Sequence, residues 1–238
     1  MGRITIAIFA RKKGLLKYFV LAVALVIILY YGYYHLTTLL GSRAVLTTGA
    51  AIILDAGHGG IDPGTHDGEL KEKDIVLDVV LRMRDFLEGQ GLRVDLTRDT
   101  DVDLGGELRR GRHQKDLEAR LQLIKRGRVA VSIHCNSSTD KKQKGAVVFY
   151  QKDLKEGKKL ADAVLQEVGQ VQVLNHSFSV ARQNLFLLRK AGIPVVLVEI
   201  GFLSNPEDKQ KLQDKNFRQQ LAEAVSKGIM DYLFGGQQ

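Results

Sequence analysis

Four side chains lie far apart in this chain, yet their types suit one piece of chemistry. His58 sits in "ILDAGHGGIDPGT", Glu72 in "LKEKDIVLDV", His134 in "VAVSIHCNSS" and Glu199 in "PVVLVEIGFLSN". Glu199 draws attention first, as the single polar residue of an apolar run from Val195 to Ile200. A carboxylate taken out of water without a partner is costly, or its pKa rises until it is neutral. Two histidines and one glutamate are a zinc set that leaves one coordination position for water. A buried carboxylate beside such an ion has the chemistry of a general base and acid.

Other chemistries fit less well. "GHGGIDPG" matches neither the GxGxxG dinucleotide fingerprint nor the GxxxxGK[ST] phosphate loop, and no HExxH helix is present. Each residue also has a plainer role open to it. Glu72 favours the start of a helix dipole, and a histidine ending a strand is commonly structural. Six histidines among many acids make chance triples easy.

The elements that must position these residues can be read from hydrophobic periodicity. Short β-rich apolar runs are expected as strands at 51–55, 92–97, 129–134, 145–150, 185–189 and 194–200. Helices are expected near 71–89, 114–127, 156–173 and 216–234. The fold class is α/β: a single domain with a central mixed, mostly parallel sheet of about six strands flanked by helices, preceded by an N-terminal transmembrane helix. Val76, Val79, Met83 and Phe86 form one stripe of the first long helix, and counting back four residues places Glu72 on the face toward the sheet. Alternation puts Ala130, Ser132 and His134 on one face of the third strand and Cys135 on the other. His134 ends that strand, where open α/β sheets carry their sites. Ser204, Asn205, Pro206 and Glu207 have capping-box spacing, so a helix is expected just after the Glu199 strand.

Charge and hydropathy locate the chain. The net charge is +8, but residues 1–50 hold Arg3, Arg11, Lys12, Lys13, Lys17 and Arg43 and no acid, which leaves +2 for the rest. A nucleic-acid partner thereby loses its main support. Tyr18 to Tyr34 is uncharged and would span about 25 Å as a helix, with lysines before it and tyrosines closing it. The expected organisation is a basic cytoplasmic segment at 1–17, a transmembrane anchor and the start of a linker at 18–40, a linker at 41–50 and a catalytic domain at 51–236. That domain would lie on the extracytoplasmic side, membrane-anchored, or secreted if the segment is cleaved. The single cysteine, Cys135, excludes an internal disulfide and is expected as a small buried hydrophobe.

Taken together and in order, the four motifs resemble the zinc-dependent N-acetylmuramoyl-L-alanine amidases of the type 3 family, over roughly residues 50–234. The resemblance implies that His58, Glu72 and His134 hold Zn2+ and that Glu199 is the catalytic acid/base. It implies a peptidoglycan substrate cut between N-acetylmuramic acid and L-alanine. Small size, the lone N-terminal anchor and "TRDTDVDL" before an Arg-rich stretch resemble the membrane-anchored, germination-specific spore-cortex type, which implies a step toward muramic-δ-lactam. Two alternatives stay open: a zinc peptidase acting within the stem peptide, and a non-catalytic membrane-tethered wall-binding module. Arg109, Arg110, Arg112 and the polar loop from Asn136 to Lys144 are candidate groove residues. Arg120 is expected to pack structurally. His66, His113 and His176 match no ligand position of the family and are expected at the surface.

Overall fold

The computed structural model describes residues 18, 21–35, 51–106 and 110–235. The chain divides into two units, Met1–Thr48 and Gly49–Gln238. In the first, residues 21–35 form a helix, α1, whose leucines, isoleucines and tyrosines are exposed. The expected basic segment 1–17 and linker 41–50 lie outside the described residues, as do parts of the expected span 18–40. Among the described residues no helix is long and apolar enough to cross a membrane.

The second unit begins with β1 (Ile52–Ala56), a small hairpin of β2 (His66–Asp67) and β3 (Leu70–Lys71), then α2 (Glu72–Gly89), β4 (Val94–Leu96), α3 (Arg112–Ile124) and β5 (Val129–Asn136). It continues with β6 (Val147–Gln151), α4 (Lys155–Val168), β7 (Val180–Arg182), α5 (Phe186–Lys190), β8 (Val195–Phe202), α6 (Pro206–Gln213) and α7 (Lys215–Phe234). Six strands make one sheet in the order β4-β1-β5-β8-β6-β7. The first four are mutually parallel, β6 runs antiparallel to β8, and β7 runs parallel to β6. This is the mixed, mostly parallel sheet that the alternation of runs predicts.

Parallel strands covered on both faces need apolar residues at nearly every position, and β1 is buried from end to end. On one face, Leu121 and Ile124 of α3 and Leu187 and Leu188 of α5 pack over Ile53, Ala130, Val147, Phe149 and Val195. Alternation along β5 and β8 puts Ser132, His134 and Glu199 on that same face. Helix α7 packs against both α2 and α4.

Three expectations are corrected. The expected strand 185–189 is helix α5, and the sixth strand is the three-residue β7, which pairs with Phe149–Gln151 at the sheet edge. Its residues are largely exposed, so no apolar run marks it. The helix expected over 156–173 ends at Val168, because Gly169 caps it and the chain turns back to bring Leu174 beside Ala146. The cap of α6 is Asn205, whose side chain accepts from the Glu207 and Asp208 N–H groups, with Pro206 at the first turn. Ser204 instead accepts a hydrogen bond from the Ser138 N–H.

Candidate metal centre

His58 follows β1, Glu72 opens α2, His134 lies near the end of β5, and Glu199 stands opposite His134 in the β5–β8 pairing. Four distant segments thus meet at the carboxyl ends of the parallel strands, where such sheets place their sites. His58 Nε2 lies 3.2 Å and His134 Nδ1 3.0 Å from the same oxygen, Glu72 Oε1. The two imidazole rings stand edge to face, 5.0 Å apart. One ligand atom from each of the three residues lies within 4.8 Å of the other two. The set fits a divalent cation such as zinc by donor chemistry, two imidazole nitrogens and one carboxylate oxygen, and it leaves a position unfilled by protein.

Glu72 and His58 have neighbours on the side away from the cluster. Glu72 is buried, and its second oxygen accepts the Thr65 N–H at 2.8 Å. The backbone N–H of Cys135 donates to Glu72 Oε1 at 2.9 Å. Asp62 Oδ2 lies 3.0 Å from His58 Nδ1, an ion-pair approach without hydrogen-bond geometry. Gly57 has no side chain for a specific reason: a Cβ there would run into the His134 ring.

The loop that carries His58 is gripped by two buried arginines. His58 has φ of 58°, a left-handed conformation that costs a non-glycine residue energy and persists only when its surroundings enforce it. Arg98 donates through Nε to the Ala56 carbonyl at 2.9 Å and through Nη2 to the Gly57 carbonyl at 2.8 Å. Arg120 donates through Nη1 to the Ala56 carbonyl at 2.6 Å and through Nη2 to the His58 carbonyl. Three consecutive carbonyls are thereby fixed. Arg120 also pairs with Asp55 and Asp116, each at 2.7 Å.

Two carboxyl groups on this sheet, Asp55 fully buried and Glu199 half-buried with one enclosed oxygen, have opposite surroundings. Burial alone would raise Asp55, but Arg120, Ser132 and Thr97 outweigh it and hold the carboxyl at about 2. Glu199 lacks such help: its Oε2 is enclosed and has no hydrogen-bond partner. Burial raises it to about 7, with the His134 charge opposing. At Glu72, hydrogen bonds from His134 and His58 overcome burial and keep the carboxylate ionised. Burial would lower His58, but Glu72 and Asp62 raise it to about 9.

All four residues expected at the site are brought together there. Cys135 points away, buried, its thiol pushed up by burial, as its strand parity predicts. Its N–H nevertheless faces the site. His66, His113 and His176 are exposed. Arg109 lies outside the described residues, Arg110 is exposed, and Arg112 pairs with Asp103 and lies 3.9 Å from Asp62. Asp62, Arg98 and Asp55 were not singled out from sequence. The signal for Asp55 was present, a carboxylate closing an apolar strand much as Glu199 interrupts one. The Arg98 contacts depend on loop geometry that periodicity does not carry.

Comparison with known proteins agrees with this geometry. A family model described as N-acetylmuramoyl-L-alanine amidase matches residues 52–231. The chain is 35% identical over 193 residues to the germination-specific N-acetylmuramoyl-L-alanine amidase of Bacillus subtilis, covering 78% of this chain and 81% of that one. It is 29% identical over 229 residues to the amidase AmiC of Neisseria meningitidis, 76% of this chain but only 52% of the relative. Among solved structures it resembles the CwlD amidase from Clostridioides difficile in complex with the GerS lipoprotein, with TM-score 0.73, 36% identity, and coverage of 78% of this chain and 98% of that one. The catalytic domain of CwlV from Bacillus (Paenibacillus) polymyxa var. colistinus follows at TM-score 0.66 and 27% identity, with the same coverage.

Proposed function

Because this chain belongs to the N-acetylmuramoyl-L-alanine amidase family and is an amidase of peptidoglycan, we propose that Glu199 is its general acid/base and that His58, Glu72 and His134 hold a zinc ion. The observation that carries the proposal is the unpartnered, enclosed Oε2 of Glu199 on the strand beside His134. Zinc bound there would polarise the scissile carbonyl and lower the pKa of water. Glu199, whose Oε2 has no other partner, takes the proton as water attacks the lactyl carbonyl carbon. The carbon–nitrogen bond then breaks, and the same carboxyl returns the proton to the leaving L-alanine nitrogen. Asp62, Arg98 and Arg120 hold the His58 loop in place throughout.

The likeness to germination-specific and CwlD amidases supports a role in spore-cortex maturation. That the CwlD amidase was solved with the GerS lipoprotein supports adding a protein partner to the proposal. We further propose that the chain is membrane-anchored through its apolar N-terminal segment, with the amidase unit outside the cytoplasm, where peptidoglycan lies. The exposed apolar side chains of α1 and the lysines that precede them support that placement.

The test is Glu199→Gln assayed on purified peptidoglycan alongside metal analysis. Bound zinc should stay near that of the parent while release of the muramoyl lactyl carboxylate falls about 10²- to 10⁴-fold. An active Glu199→Gln enzyme would refute the assignment. New ends within the stem peptide, without a freed lactyl carboxylate, would move the scissile bond.

A further inference from the structure

We propose that the end of the sheet opposite the metal centre is a basic docking face for a lipid surface bearing anionic headgroups, which seats the amidase unit with its site turned away from the membrane. This rests on the membrane-anchor reading above. The parallel strands β4, β1, β5 and β8 all begin at that end, and backbone bonds tie their entries together. The Ile52 N–H donates to the Arg93 carbonyl, the Arg128 N–H to the Ala51 carbonyl, and the Ala130 N–H to the Pro194 carbonyl.

The segments entering β5 and β8 are strongly one-sided in charge. Residues 125–128 contribute Lys125, Arg126 and Arg128, residues 189–194 contribute Arg189 and Lys190, and neither segment holds an acid. All five side chains are exposed, and none has an ion-pair partner among the described residues. The segments following β1 and β4 at the other end carry Asp62, Asp67, Glu69, Asp99, Asp101 and Asp103. The segments following β5 and β8 at that end carry Lys141, Lys142, Lys144, Lys209 and Lys211, so the one-sidedness lies in the two entry segments rather than in the unit's charge as a whole. From Arg128 to His134 the strand rises about 20 Å, at about 3.3 Å per residue.

The route of the chain selects lipid as the occupant. The chain enters the sheet at Ala51, at the basic end, and residues 36–50 connect that point to the apolar α1. Fifteen residues reach at most about 50 Å, so the connection sets proximity to a bilayer without setting orientation. An unpaired basic face at the point of entry supplies the orientation, each cation strengthening attachment to an anionic surface about five-fold.

The full chain is reconstituted into vesicles of phosphatidylcholine, with or without phosphatidylglycerol, each doped with a headgroup-quencher lipid. A dye is placed at Gln122→Cys on α3, or at Thr139→Cys in the loop after β5 as the far-end control. Buried Cys135 is not labelled in the folded protein. Phosphatidylglycerol should raise quenching at 122 but not at 139. The rise should vanish at 1 M salt, where the Debye length is about 3 Å, and in the variant with Lys125, Arg126, Arg128, Arg189 and Lys190 all changed to Gln. Equal quenching in both vesicle types, with the chain inserted in both, overturns the docking face alone. A chain that fails to float with vesicles overturns the anchor reading and this proposal with it. Loss of the dye's solvent exposure on adding soluble poly(glycerol phosphate), with no response to phosphatidylglycerol, would assign the face to an anionic wall polymer and overturn the lipid assignment.

Discussion

Replacing Arg120 with Met is the sharpest test of how the His58 loop is held. Methionine keeps much of the apolar stem but deletes a guanidinium bonded to Asp55, Asp116 and the carbonyls of Ala56 and His58. Asp55 has no solvent exposure and Arg120 only 2%, so water cannot replace the lost partner. Breaking a buried pair from one side costs about 3–5 kcal/mol, a large share of the 5–15 kcal/mol typical of a whole domain. The Ala56 carbonyl keeps its bond from Arg98, whereas the His58 carbonyl loses the Arg120 donor, so the left-handed turn at His58 loses one restraint. Loss of such an outer partner weakens metal binding by about 10- to 100-fold. Urea unfolding of the chelated protein at pH 7 measures the first effect, and competition against a zinc indicator measures the second. The double variant Asp55→Asn/Arg120→Met closes the cycle. Because it removes the stranded charge, it should regain part of the loss, with a coupling of at least about 1 kcal/mol. A cost below about 1 kcal/mol for Arg120→Met, or strict additivity with Asp55→Asn, would refute the picture of a buried charge network supporting the metal loop.

Three further outcomes follow from the same groups. Asp55 is held at about 2 against an ordinary 3.8, so its stabilisation is present above pH 4 and is lost as pH falls toward 2. Wild-type stability should drop by about 2 kcal/mol more than that of Asp55→Asn across that window in acid urea titrations, and parallel curves would sink the idea. Gly57→Ala should leave the circular dichroism spectrum intact but weaken zinc binding, because the added methyl displaces the His134 ring; unchanged affinity would mean that the ring relocates freely. Glu199 is raised from 4.5 to about 7, so in the chelated protein its contribution to stability falls as pH rises between those values and stays low above them. Glu199→Gln should therefore be more stable than the parent at pH 8 by about 3 kcal/mol while being inactive, and equal stability would show that the carboxyl finds a partner.

The site was more legible in the sequence than the fold's edges were. His58, Glu72, His134 and Glu199 are each marked by conflict between residue type and element: a glycine-flanked histidine after a strand, an acid on the sheet-facing stripe of α2, a histidine ending β5, a carboxylate inside β8. Such conflicts survive in sequence because they violate periodicity. What failed was β7 and α5, where Leu185 to Leu188 supply an apolar run too short to distinguish a strand from a turn of helix. Tertiary packing decided it, by turning Leu187 and Leu188 onto the sheet. Asn205 displaced Ser204 as the α6 cap because Ser204 was engaged by the Ser138 N–H, a contact between segments that local spacing cannot contain.

The contrast between Asp55 and Glu199 shows how one sheet gives two carboxyl groups opposite protonation behaviour. Both sit on central strands, and desolvation of Asp55 and of the enclosed Glu199 Oε2 pushes each toward the neutral form. Asp55 meets Arg120 and the hydroxyls of Thr97 and Ser132, at 2.6 to 2.7 Å, and stays ionised. A carboxylate so satisfied has no affinity left for a substrate proton, but it anchors the arginine that grips the His58 loop. Glu199 meets no donor at Oε2 and so keeps the capacity to bind and release a proton near neutral pH. Pairs of titratable groups driven apart by their environments reveal which of them does acid–base work. Here the separation arises from which strand end the arginine of α3 can reach: β1 beneath the metal loop, and not β8. Stability is given up at Glu199 and recovered at Asp55, and the same arginine that recovers it also fixes the backbone at His58.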